Sequence, residues 1–110
     1  VNKSKRIGTA WETTVVRYLR EWFRYAERRA LAGSQDLGDI TGIPGVVWEL
    51  KDCVRHELAQ WTDETETERT NANAQYGILV VKRRNKNVRE AYAIMPLWQV
   101  VELLKDDDAS

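Results

Sequence analysis

The chain has 110 residues, 43% of them hydrophobic, enough for one modest core and too few for several domains, so a single domain over 1–110 is expected, with flexible ends at 1–7 and 105–110. Lysine plus arginine equals aspartate plus glutamate at 17 each, which excludes a bulk charge that would by itself announce a nucleic-acid partner. One cysteine, Cys53, and one histidine, His56, exclude an intramolecular disulfide, a cysteine-based zinc site and multi-histidine chemistry, and suit a reducing, cytoplasmic setting.

In chain order, the first predicted element is a helix from Thr9, where Trp11, Val15, Tyr18, Leu19, Trp22, Phe23 and Ala26 recur at steps of three and four. At about 100° per residue these side chains fill one arc, and Glu12 falls inside it beside Leu19 and Phe23, so a charged residue on the buried face is expected. "AERRALAG" predicts a short strand ending at Gly33, "SQDLGDITG" a loop entering a second strand near Asp39 to Thr41, and "GIPG" a turn. From Val46 to Lys51 the alternation of a strand puts Val46, Trp48 and Leu50 on one face and Val47, Glu49 and Lys51 on the other.

Glu57 to about Ala74 reads as a weakly amphipathic helix with Leu58, Trp61 and Ala72 on its apolar stripe. Cys53 reads as a small core residue and His56 as part of a solvated turn. "YGILVVKRR" is a strand, "NKN" a hairpin turn, "EAYAIM" the partner strand, and Pro96 opens a last helix with Leu97, Trp98, Val100, Val101, Leu103 and Leu104. The predicted order is αβββαββα, an α/β fold with helices flanking a mixed central sheet. No apolar run approaches a membrane span and no signal-peptide pattern opens the chain.

Charge is segregated although it sums to zero. Lys3 to Arg29 holds eight bases and three acids, and Lys82 to Glu90 five bases and one acid, while Asp52 to Arg69 holds six acids and two bases. The basic segments are either solvated faces or a footprint for a phosphate backbone, with Lys5, Arg6, Lys82, Arg83 and Arg84 as the candidate contacts.

Glu12, Asp39, Glu49 and Lys51 need a common explanation. Glu12 could be an acid favoured by the helix macrodipole, and Glu49 with Lys51 an exposed pair on a sheet edge. Gathered in one place, the carboxylates would repel each other unless a cation neutralised them, and oxygen ligands in this number suit magnesium or manganese. A lysine beside such an ion can orient the attacking water and stabilise phosphate charge, which is the machinery of phosphodiester hydrolysis.

"GDI" followed by "WELK" resembles the D, then E-x-K signature of the PD-(D/E)XK nuclease superfamily, with Gly38 in place of the usual proline. "GTAWE" resembles the N-terminal helix glutamate of the archaeal-type Holliday junction resolvases and related phage nucleases. The resemblance implies a restriction-endonuclease-like fold and metal ligation by Asp39, Glu49 and the backbone carbonyl of Leu50. Glu12 would complete the metal shell directly or through water, and Lys51 would position the water. Ser34 loosely matches a loop serine of the resolvases as a phosphate contact, and Asp36 competes with Asp39 for the aspartate position.

The function implied is a magnesium-dependent endonuclease acting on branched DNA as a homodimer, manganese being able to substitute, in a phage or prokaryotic host cytosol. A two-fold dimer would present two equivalent sites to a four-way junction, with Trp61 and then Trp98 as the expected centre of the interface. The alternatives are a flap- or end-acting nuclease of the same fold and a DNA-binding module without catalysis.

Overall fold

The computed structural model describes residues 3–30 and 35–105, the side chains of residues 3–7 excepted. Its elements are α1 (Lys3–Leu19), β1 (Glu27–Arg28), β2 (Ile40–Thr41), β3 (Val46–Lys51), α2 (Leu58–Asn71), β4 (Tyr76–Val81), a 3-10 turn at Val88–Glu90, β5 (Tyr92–Ile94) and α3 (Leu97–Lys105). The ends expected to be flexible are described only in part: residues 3–7 form the first turns of α1, and Lys105 ends α3. Among the described residues no helix is long and apolar enough to cross a membrane.

The strands form two sheets rather than one. β3, β4 and β5 make a mixed three-stranded sheet, with β4 parallel to β3 and antiparallel to β5, while β1 and β2 pair as a separate antiparallel ribbon. The alternation read from the sequence decides which helix covers which face. Trp48, Leu50 and Val80 cluster with Trp11, Val15, Val16 and Leu19 of α1, whereas Leu79 and Val81 cluster with Trp61 of α2 and Ile94. Glu49 and Lys51 stand opposite Leu79 and Val81 in the β3–β4 register. Both charged side chains of β3 therefore share the face that α2 covers.

α1 ends seven residues earlier than the periodicity to Ala26 suggests. Beyond its end Trp22 and Phe23 are exposed, while Ala26 is fully buried. Aromatic residues are poor helix formers, and the chain folds back here: Phe23 N–H donates to Leu19 O at 2.8 Å and the Arg20 guanidinium to Ala26 O at 2.7 Å. The turn is passed so closely by Gly42 that a Cβ there would lie 1.9 Å from Tyr25 O, and Gly42 has a φ of +92°. Only glycine fits both constraints.

α2 buries Trp61, Thr65 and Glu68, an inward line with a single aromatic anchor. It lies tightly on β4 because Gly77 has no side chain: a Cβ there would sit 3.2 Å from Thr65 Cγ2 and Glu66 Oε2. Burial of Trp61, 5% exposed, removes it from any surface and overturns its reading as the centre of an interface. Cys53 is exposed, not a core residue, because β3 ends at Lys51 and the chain leaves the sheet before reaching it.

α3 is fixed by an unusual anchor. Its only fully buried side chain is Gln99, whose Oε1 accepts the N–H of Gly77 at 2.8 Å and whose Nε2 donates to Glu66 Oε2 at 2.8 Å. β5 pairs with β4 only from Leu79 to Val81, so the amide of Gln99 takes the place of a strand partner that Gly77 lacks.

Candidate metal centre

Asp39 reaches the centre through the backbone. Its N–H donates to Trp48 O at 2.7 Å, and its Oδ2 accepts the N–H of Leu50 at 2.8 Å, so residue 39 lines the edge of β3 that β4 does not occupy. Within a strand the N–H and C=O of one residue point to the same side, which directs the Leu50 carbonyl to that edge as well. Gly38, at φ +93°, makes the approach possible. A Cβ would stand 2.9 Å from Val47 Cγ1 and 3.0 Å from Trp48 O, and a proline, held near φ −65°, could not adopt the conformation at all.

On the α2 side of this edge Asp39, Glu49 and Glu68 form a chain of carboxyl groups, Glu49 close enough to act on the titration of both Asp39 and Glu68. Burial is the main cause that pushes the Asp39 carboxyl up to about 8, helped by the neighbouring Glu49 and opposed by the Leu50 N–H. Burial likewise raises Glu49 and Glu68 to about 7 each. Three acids that hold protons so firmly mark a place where negative charge lacks compensation. Asp36 joins from the loop: one carboxylate oxygen each of Asp36, Glu49 and Glu68 lie within 4.8 Å of one another.

Glu68 is 3% exposed and its Oε1 has no hydrogen-bond partner. A buried carboxylate oxygen without a donor, beside other carboxylates, could accept a cation. The donors are all hard oxygens, so the set fits magnesium or manganese and no softer metal.

Lys51 lies at the margin of this group. Its Nζ is 3.6 Å from Glu64 Oε2 and 5.6 Å from the Trp61 ring centroid, and its charge lowers Glu49 and Glu68 without offsetting their burial. Glu12 is placed differently. Its Oε1 accepts from Arg28 Nε at 3.0 Å, and it is not among the acids that gather on the α2 side.

Of the basic residues, Lys82 is 3.6 Å from Asp52 Oδ2 and stands over the Trp11 ring at 5.7 Å. Arg83 lies over Tyr92 at 4.9 Å. Lys51, Lys82 and Arg84 line one cleft of about 700 Å³ that also touches Leu50 and Asp52. Ser34 lies outside the described residues, as do the side chains of Lys5 and Arg6.

Sequence reasoning put Glu49 and Lys51 on one strand face and Asp39 at the start of another strand, and missed Glu68. The signal was present in the spacing: from Trp61, steps of four and three lead to Thr65 and Glu68, so the inward line of α2 passes through a glutamate. In comparisons with known proteins, no family model matches the chain, and no curated protein or solved structure does.

Proposed function

We propose that the protein is a magnesium-dependent endonuclease of the PD-(D/E)XK type, with a restriction-endonuclease-like fold, that hydrolyses phosphodiester bonds in branched DNA, most simply as a Holliday junction resolvase. The observation that carries the reading is the approach of Asp39 to the free edge of β3 at Leu50, on a strand that also bears Glu49 and Lys51, while Leu50 and Lys51 line a cleft together with Lys82 and Arg84. A bound divalent cation would supply charge stabilisation for the phosphate and activation of water. Asp39, Glu49 and the carbonyl of Leu50 would hold it. Lys51, released from Glu64, would orient the water and balance charge on the phosphate; Lys82 and Arg84 would hold the backbone on the approach. Glu12 would serve the cation only after Arg28 lets go of it.

A resolvase requires two linked sites, and the apolar surface of α3 suits a second copy. Leu97, Trp98 and Leu104 are 77%, 51% and 65% exposed on a helix whose only fully buried residue is Gln99. Burying such a surface against its own copy would be a favourable apolar contact. The lone exposed Cys53 fits a reducing, cytoplasmic setting.

Incubating the purified protein with labelled four-way junction, flap, single-stranded and duplex DNA, with and without magnesium, tests the reading. Magnesium-dependent paired cuts in the junction, by a protein sedimenting at twice the chain mass, are expected. Cutting restricted to flaps or ends would transfer the site to a repair nuclease; junction binding without any cutting would leave a DNA-binding module.

A further inference from the structure

The group formed by Asp36, Glu49 and Glu68 is not the one that the D and E-x-K residues define. Asp36 comes from the loop before β2 and Glu68 from α2, and only Glu49 is common to both. Loop and helix are tied to each other independently of the carboxylates, since Asn71 Nδ2 donates to Asp36 O at 3.3 Å, so Asp36 is held over the last turn of α2. Its Oδ1 accepts the N–H of Gly38 at 3.0 Å, which leaves Oδ2 for another partner.

We propose that Asp36, Glu49 and Glu68 form a divalent-cation position of their own, beside the one built on Asp39, Glu49 and the Leu50 carbonyl, with Glu49 shared between the two. An acidic cluster alone would not carry this. The second observation is Glu68 itself, 3% exposed, with an oxygen that no hydrogen-bond donor meets. Burying a carboxylate without a partner is costly, and a cation removes the cost.

The dimensions agree with a hard divalent ion. Oxygens on opposite sides of magnesium stand about 4.2 Å apart and those around calcium about 5 Å, twice the respective bond lengths. The three oxygens lie within 4.8 Å of one another, so one such ion can reach all three after a small shift of a side chain. Asp36, exposed and on a loop, is the ligand free to make that shift, while β3 and α2 fix the other two.

The role of this ion in cleavage rests on the nuclease reading, but its binding does not, so the test uses no DNA. Manganese binding to the full chain is measured by calorimetry and by electron paramagnetic resonance for wild type, Glu68→Gln, Asp36→Asn and Asp39→Asn, each checked for folding by circular dichroism. The expected result is manganese binding that persists in Asp39→Asn and weakens at least tenfold at one position in Glu68→Gln, with a smaller loss in Asp36→Asn. If Asp39→Asn binds no manganese, or if folded Glu68→Gln keeps the stoichiometry and affinity of wild type, the site does not exist. Failure to cut DNA with these binding results intact would defeat the nuclease reading alone.

Discussion

Two glutamates on the inner arcs of two helices meet opposite fates. Glu12 of α1 lies on a helix with a strong apolar face, yet its carboxylate emerges at the margin of that face and is taken by Arg28 of β1. Glu68 belongs to α2, whose apolar face is scarcely defined, yet it is almost wholly buried beside Glu49 with an oxygen unpaired. The position of a charge on a helical wheel predicts its direction but not its company. What separates the two is the element opposite: α1 faces a ribbon carrying an arginine, α2 a strand carrying another acid.

The sharpest way to break this comparison is to remove the acid that Glu68 meets. Glu49→Gln, like Asp39→Asn, is expected to abolish magnesium-dependent cleavage while junction binding persists, because the basic cleft is untouched. Cleavage at the wild-type rate in both variants would dismiss the site.

Stability against pH gives the next largest effect. Folding raises Asp39, Glu49 and Glu68 from ordinary values of 3.8 and 4.5 to between about 7 and about 8, so the folded state binds protons more tightly than the unfolded one. The stability this contributes is complete below about pH 4 and is lost as pH rises through 7 to 8. In divalent-free buffer, Glu68→Gln is therefore expected to gain on the order of 2 kcal/mol over wild type at pH 8.5 and nothing measurable at pH 4, as read from urea denaturation. A gain of equal size at both pH values would show that the glutamate's charge is not what matters.

DNA affinity tests the basic side of the cleft. Neutralising Lys82, Arg83 and Arg84 together is expected to reduce the slope of log affinity against log salt by about 0.9 for each DNA phosphate that one of them pairs with. An unchanged slope would return all three to ordinary surface charge, Lys82 serving Asp52 and Arg83 serving Tyr92.

The smallest change is expected at the other member of the pair. Glu12→Gln removes one partly exposed ion pair and should cost at most about 1 kcal/mol of stability. Its effect on cleavage sharpens the contrast: near wild-type turnover at saturating magnesium would make Glu12 a partner of Arg28 only, and loss of turnover would mean that it leaves Arg28 to reach the cation.

Much of this arrangement was legible wherever a single periodicity ruled. In β3 the alternation of Val46 to Lys51 assigned both faces, since burial on the α1 side left Glu49 and Lys51 nowhere but the α2 side. The same kind of reading overran α1, because "RYLREWFRYA" keeps helical spacing while a tertiary event, the return of Ala26 to the core beneath Gly42, ends the helix. Glu68 escaped notice because Trp61 and Thr65 make too thin a line for an inward glutamate to stand out. The surface of α3 was legible only at Trp98: a helix rich in leucine and valine reads as core, and the burial of Gln99 shows that Leu97, Val101, Leu103 and Leu104 turn outward with it. Asp39 ranked above Asp36 because it stands at the strand start and Asp36 in the loop, yet the loop brings Asp36 to Glu49 and Glu68 as well.

Gly38 sets a limit on how this protein can be redesigned. Substituting the residue most frequent at a position is a common route to stabilisation, and a design guided by the proposed nuclease reading would choose proline here. The backbone at 38 has already been committed to a torsion that proline cannot reach, with Val47 and Trp48 closed against it. Introducing proline would require rebuilding the segment that lays Asp39 along β3, so the change that would sharpen the resemblance is the one that displaces the aspartate on which the resemblance rests.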